Sequence, residues 1–202
     1  YKLGLTSKPM QDLLGVHEPD YAPLLASAVV DDASAVPLER FIAPKVEAEI
    51  ALVLRHTLAG PGVTLLQAYE AIGGAVAAIE IVDSRIADWK IKLADTVADL
   101  ASSGATVLGT RVVPLDGFDI RLVGMAFTKN DELVATGAGA AALGDPVTAV
   151  AWLANTLGAY GVQLEAGRFV MTGSLHGAFG IAAGDVLRAE FDRLGTVSLR
   201  FV

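Results

Sequence analysis

The sequence predicts an α+β fold on a mixed or mostly antiparallel sheet, and three observations carry that expectation. Short β-rich apolar runs outnumber helical stretches. With 53% hydrophobic residues and a mean hydropathy of +0.51, the chain can bury a large core. Neither an internal repeat nor a low-complexity linker divides the 202 residues, so one domain over 1–202 is expected.

The elements follow in order. "KLGLTS" opens as a strand, and "MQDLLGV" (10–16) fits a short helix stopped at Gly15. "APLLASAVV" (22–30) runs into a polar turn at Asp31 and Asp32, and "RFIAPKVEAEIALVL" supplies one or two strands. After the "AGPG" turn, Thr64 caps a helix through "LLQAYEAI", and "AVAAIEIVDS" is an apolar strand. "DTVADLASSG" reads as a helix with Asp95 as N-cap and Gly104 as stop. "ATVLGTRVV", "IRLVGMAFTKN" and "ELVAT" read as successive antiparallel strands, with "KND" as a hairpin turn. In "DPVTAVAWLANTLGAYG", Asp145 caps and Pro146 takes the first helical position. Val147, Val150, Ala151, Ala154 and Leu157 then form one stripe. The remaining "GRFVMTGSL" and "DVLRAEFDRLGTVSLRFV" are strands around a glycine turn.

Composition excludes several roles. A net charge of −8 and a pI near 4.8 argue against nucleic acid, whose phosphates need clustered Lys and Arg. No apolar stretch approaches the roughly 18 residues of a membrane span. The absence of cysteine excludes disulfides and thiolate metal sites, and a cytoplasmic location is expected. The start "YKLGLTSK" lacks the apolar core of a secretory signal. It also lacks an initiator Met, and a preceding N-terminal segment is expected in the natural protein.

Chemistry concentrates in "KVEAEIALVL" (45–54). Glu47 and Glu49 lie two apart in a strand-like run, so they project to one face roughly 6–7 Å apart. Two like charges there repel and lose hydration unless a cation compensates. Glu80 is likewise embedded in an apolar run, "AAIEIV". Three carboxylates make a hard oxygen set suited to Mg²⁺ or Mn²⁺ rather than zinc. An edge strand with solvated acids, or structural acids, would explain them equally well.

The segments "KLGLTS" (2–7), "GVHEPDYAPLL" (15–25), "APKVEAEIALVL" (43–54) and "EIVDSRIADWKIKLADTVADLASSG" (80–104), with "TGAGAAALGDPVTAVAWLANTLG" (136–158) and the C-terminal strands, resemble the 2-keto-4-pentenoate hydratase family of the fumarylacetoacetate hydrolase superfamily. The resemblance implies a mixed β-sandwich roll with a few flanking helices. It implies metal ligands at Glu47, Glu49 and Glu80, with Mg²⁺ or Mn²⁺ as cofactor. It also implies a small 2-hydroxydienoate or 2-oxo acid substrate and a homo-oligomer. The reaction implied is hydration of 2-hydroxypenta-2,4-dienoate to 4-hydroxy-2-oxopentanoate, in the catabolism of aromatic compounds. The alternatives are 4-oxalocrotonate decarboxylation and a non-catalytic partner subunit.

The same segments suggest the remaining roles. Lys2 and Asp20 are the catalytic candidates; a strand-end lysine and a turn residue are the bland alternatives. Lys92 (paired in sequence with Lys90), Ser103 (in Ser102-Ser103-Gly104) and Ser174 are the substrate-binding candidates. His176 lies in a loop that the family brings toward the pocket. His17 and His56 lack any ligand spacing. Gly137 and Gly139 only loosely resemble a phosphate loop, and Trp89 and Trp152 are expected in the core. Leu100 stands where the family often has Asn, either as an apolar pocket wall or as a packing variant.

Overall fold

The computed structural model describes residues 1–202, the side chains of Pro9, Leu13 and Leu14 excepted. The strands, in chain order, are β1 (Lys2–Gly4), β2 (Asp20–Ala22), β3 (Val29–Asp31), β4 (Ser34–Val36), β5 (Lys45–Leu54), β6 (Ile72–Val82), β7 (Ser103–Leu108), β8 (Gly124–Lys129), β9 (Glu132–Ala138), β10 (Phe169–Ser174), β11 (Phe179–Gly180), β12 (Val186–Phe191) and β13 (Gly195–Phe201). The helices are α1 (Lys8–Leu14), α2 (Leu65–Ala71), α3 (Leu93–Ala98) and α4 (Pro146–Gly158).

Two sheets form the sandwich. The larger has the order β2-β1-β10-β5-β6-β7-β3, with β11 added beside β5; the smaller is β4-β13-β12-β8-β9. Parallel pairs (β1 with β10, β3 with β7, β4 with β13) join antiparallel ones, so both sheets are mixed. The smaller sheet alternates as a half-solvated sheet must. In β12, Leu187, Ala189 and Phe191 are buried, while Val186, Arg188 and Glu190 face water.

The larger sheet is covered on both faces at its centre, which is why β5 and β6 read as nearly continuous apolar runs. The parity of side chains sorts them. Val46, Ala48, Ile50, Leu52 and Leu54 join Ala75, Ala77, Ile79 and Ile81 in the main core, which α4 and the smaller sheet complete. Ala51, Val76, Ala78 and Met171 form a second, smaller cluster. Since i and i+2 share a face, Glu47 and Glu49 extend the row of Ala51, and Glu80 extends that of Val76 and Ala78. The acids therefore lie on the face of the smaller cluster, opposite the main core.

α1 stops at left-handed Gly15, Thr64 caps α2 in a capping box, and Asp145 and Pro146 start α4. All five stripe residues of α4 are buried. The turn at Asn130 and Asp131, both with positive φ, closes the β8–β9 hairpin.

Two element expectations are corrected. "ATVLG" does not pair with 124–129. It forms β7, antiparallel to β6 and parallel to β3, because its buried residues belong on the larger sheet. The segment around Asp95 starts earlier: the helix begins at Leu93, and Asp95 is its third residue, accepting the Lys92 N–H at 2.9 Å. The helix ends at Ala98, and a tight turn over Leu100–Ser102 separates it from β7, so Gly104 lies in a strand and not at a helix stop.

Candidate metal and substrate site

Glu47 and Glu80 are directly paired across β5 and β6, and Glu49 faces Ala78 one step further along. Carboxylate oxygens of Glu47, Glu49 and Glu80 all lie within 4.8 Å of one another. Like charges opposite each other destabilise a sheet, and here two of the three are also buried, Glu49 at 0% and Glu80 at 1% exposed, while Glu47 is half-buried. Burial, and then the charge of Glu80, push the Glu47 carboxyl up to about 7. The same two causes, joined by Glu47, push Glu49 well above the usual carboxylate range. Without a cation the cluster holds protons that carboxylates ordinarily release.

The neighbours organise this cluster. Gly173, in a bulge of β10 at φ 103°, donates its N–H to Glu49 Oε2 at 2.9 Å. A Cβ there would stand 1.9 Å from Thr6 Oγ1, so the turn requires glycine. Lys2, 2% exposed, crosses from β1 with Nζ 2.7 Å from Glu80 Oε1 and 2.7 Å from the Ala101 carbonyl. Burial pulls its pKa down, but Glu80 foremost, with Glu49 and Glu47, outweighs that and holds the ammonium charged. Three carboxylates against one ammonium leave two formal negative charges, the complement of a divalent ion. Glu49 Oε1 has no hydrogen-bond partner, and Glu80 Oε1 meets only the Lys2 ammonium. The donor set thus fits a hard divalent cation that takes oxygen ligands and leaves positions for water or substrate.

A cavity of about 170 Å³ opens beside the cluster, below the ~300 Å³ at which drug-sized pockets begin, so it suits a small acid. Lys2, Asp20, Glu47, Ser174 and His176 line it, together with Lys45, Trp89 and Ser102. Asp20 sits on β2, not in a turn. Thr96 Oγ1 donates to its Oδ2 at 3.0 Å, while buried Oδ1 has no partner. Gly4 makes room, since a Cβ there would lie 2.2 Å from Asp20 Oδ1. Ser102 Oγ is a second buried, unpartnered polar atom of the wall. Such atoms are costly unless a ligand or water meets them.

His176 belongs to the wall but has no ring nitrogen to spare. Nε2 accepts the Ala48 N–H at 2.8 Å, and Nδ1 lies 2.7 Å from the Gly177 carbonyl, which fixes the neutral Nδ1–H tautomer. Burial lowers its pKa further, and the ring stacks on Phe179. Ser174 is tied to the backbone of His176 through its hydroxyl.

The structure does not bring every sequence candidate to the cavity. Lys92 is exposed at the start of α3, and Lys90 pairs with Asp88 on the surface. Ser103 is not part of the cavity lining; its carbonyl accepts from Arg85, and Ser102 lines the cavity instead. Trp89 is a correction. It is not core but half-buried at the cavity mouth, its indole N–H bonded to the Ala43 carbonyl at 2.9 Å. Trp152 packs edge-on against Tyr21, partly buried. Leu100, 37% exposed, is outside the cavity lining, so it is no pocket wall. The strand period could have found Lys45, which is two residues before Glu47 and therefore on its face.

A buried oxygen-ligand cluster inside a rolled mixed sheet, opening on a cavity for a small acid, defines a metal-site class rather than a particular enzyme. The chain belongs to the fumarylacetoacetate hydrolase family, whose C-terminal domain matches residues 4–202. Over 202 residues it is 44% identical to a 2-hydroxyhexa-2,4-dienoate hydratase of Comamonas testosteroni, covering 99% of this chain and 76% of that protein. It is 50% identical over 162 residues to a 2-hydroxypent-2,4-dienoate hydratase of Pseudomonas putida, covering 80% of this chain and 73% of that protein. Among solved structures, 4-oxalocrotonate decarboxylase from Pseudomonas putida G7, complexed with magnesium and adipate, superposes with a TM-score of 0.96 at 40% identity. That superposition covers all of this chain and 76% of that one.

Proposed function

We propose that this chain is a divalent-metal-dependent hydratase that adds water to 2-hydroxypenta-2,4-dienoate, or a short alkyl homologue, giving 4-hydroxy-2-oxopentanoate in the breakdown of aromatic compounds. The observation that carries the reading is the cluster of half-buried Glu47 with buried Glu49 and Glu80 in a chain 44–50% identical to dienoate hydratases. Mg²⁺ or Mn²⁺ held there would supply Lewis-acid stabilisation of charge on the substrate's oxygens.

The chain's own groups handle protons and position. Lys2 keeps a charged Nζ at the edge of the cluster, where it delivers a proton to substrate carbon and stabilises negative charge on oxygen. Asp20, through the unpartnered Oδ1, accepts a proton from the water that adds at C4. Ser102 Oγ and Ser174 orient substrate oxygens, and Ile91, Met10 and Val82 give the hydrocarbon end an apolar wall. These parts all lie in one catalytic domain over 1–202.

The second reading is 4-oxalocrotonate decarboxylation, favoured by the superposition on that enzyme. A non-catalytic partner role is disfavoured, because the acids and Lys2 are all in place. Exposed Leu133 and Val134 on the edge strand β9 support a homo-oligomer. No helix is long and apolar enough to cross a membrane, and the lack of cysteine accords with a cytoplasmic setting. The test is an assay of the purified, Mg²⁺-supplemented protein on both acids. Loss of dienol absorbance without CO₂ release supports hydration; CO₂ release from 4-oxalocrotonate as the faster reaction overturns it.

A further inference from the structure

Lys2 cannot serve alone as the cation for an acidic substrate, because its ammonium already answers Glu80 and the Ala101 carbonyl. Counting Glu47, Glu49, Glu80 and Lys2 with a divalent ion gives a neutral centre, and Asp20 makes the surroundings negative. An incoming carboxylate needs a further positive group. Lys45 is the remaining cation of the cavity lining, and among the described residues it is in no ion pair. Its Nζ lies 4.3 Å from the centre of the Trp89 ring.

That perch is built. Asp88 and Trp89 both take left-handed backbone conformations, at φ 56° and 55°, which cost non-glycine residues of the order of 1–3 kcal/mol each. The Trp89 Nε1–Ala43 bond holds the ring down over Lys45. Asp83 fixes the other side by accepting the Ile42 and Ala43 N–H groups, at 3.0 and 2.7 Å. An aromatic face attracts an ammonium yet offers it no acceptor oxygen, so the Lys45 donors stay available while the stem is held. A surface lysine in water would have neither property.

We propose that Lys45, held on Trp89, is a substrate-binding residue that receives the carboxylate of the 2-hydroxydienoate or 2-oxo acid beside the metal ligands. The proposal rests on the hydratase reading for its substrate class. Its geometric basis is separate: a strand order that places Lys45, Glu47 and Glu49 on one face at successive i+2 positions. Trp89 is then a positioning residue, acting through Lys45.

The test uses the Mg²⁺-loaded protein and pyruvate, which carries the shared 2-oxo acid head, with methyl pyruvate as the uncharged control. Lys45→Met should weaken pyruvate binding by about 10- to 100-fold, the range for a hydrogen bond to a charged group, and leave methyl pyruvate unchanged. Lys45→Arg should recover part of the loss, and Trp89→Phe should weaken pyruvate less than Lys45→Met does. Pyruvate should also shift the Trp89 fluorescence of the wild type, a signal absent in Trp89→Phe. Mg²⁺ affinity of Lys45→Met, measured separately, should stay within a few-fold of wild type. Wild-type pyruvate affinity in Lys45→Met would overturn the proposal, as would equal losses for pyruvate and its ester. A protein that binds pyruvate through Lys45 but does not hydrate the dienoate would sink the hydratase reading alone.

Discussion

Helix α4 and the segment from Asp83 to Gly104 obey opposite rules. α4 follows every local preference: an Asp N-cap, Pro at the first position and an apolar stripe that is wholly buried. None of its residues lines the cavity. The segment from Asp83 to Gly104 instead holds five non-glycine residues with positive φ: Asp88, Trp89, Leu100, Ala101 and Ser102. Those residues set Trp89 at the cavity mouth, the Ala101 carbonyl against Lys2 and the Ser102 hydroxyl in the wall. Backbone strain is concentrated where the chemistry is, and the regular helix supplies stability that offsets it.

The largest effect should come from the site side of this comparison. Lys2→Met leaves Glu80 buried without its ammonium, which should cost the metal-free protein about 3–5 kcal/mol in chemical denaturation. Mg²⁺ should restore much of that loss, because it supplies the missing positive charge. A variant as stable as wild type without metal would show that the pair contributes nothing.

The next effect is a pH dependence confined to the metal-free state. Glu47 titrates near 7 in the fold and Glu49 well above its ordinary value, against about 4.5 in the unfolded chain. The folded state binds protons more tightly, so stability is greatest below about pH 4.5 from these groups and is lost as pH rises through 7. Mg²⁺ needs the deprotonated acids, so its upward shift of Tm should be larger at pH 8 than at pH 5.5. Equal shifts at the two values would contradict the perturbed carboxylates.

Smaller effects sharpen the contrast. Asp145→Ala removes the α4 cap and the acceptor of the Tyr69 hydroxyl, at a cost of about 1–2 kcal/mol with kcat unchanged. A fall in kcat beyond the loss of folded protein would tie α4 to catalysis. Leu100→Asn should stabilise by several tenths of a kcal/mol, since Asn tolerates the left-handed conformation that Leu100 holds at φ 52°. KM should not change, because Leu100 is outside the cavity. A changed KM would return that residue to the pocket wall.

The same contrast explains what the sequence made legible. Fold class, the start of α4, the β8–β9 hairpin and the three acids all follow from periodicity, capping and an unexplained charge in an apolar strand. The register that pairs Glu47 with Glu80 is a long-range property, and no local signal specifies it. Trp89 looked like core because an apolar neighbourhood does not announce a left-handed turn. Ser102 and Ser103 differ only in which one the turn aims inward, and Lys92 lost its place when the helix began at Leu93. The segment "ATVLG" has strand character for either sheet, and its partner was decided by packing on β6. The left-handed backbone of Leu100, at φ 52°, is likewise invisible in the sequence.

The central claim is that the strand pair exists to hold a divalent ion on three carboxylates. Calorimetric titration of Mg²⁺ at pH 8 into the wild type, Glu47→Gln and Glu80→Gln tests it directly, with circular dichroism confirming that each variant is folded. Wild type should bind at a saturable site with release of protons. Each variant loses a charged ligand at constant volume. Its affinity should fall by more than the roughly 10- to 100-fold typical of losing a supporting partner. Wild-type affinity in either folded variant would contradict the carboxylate site.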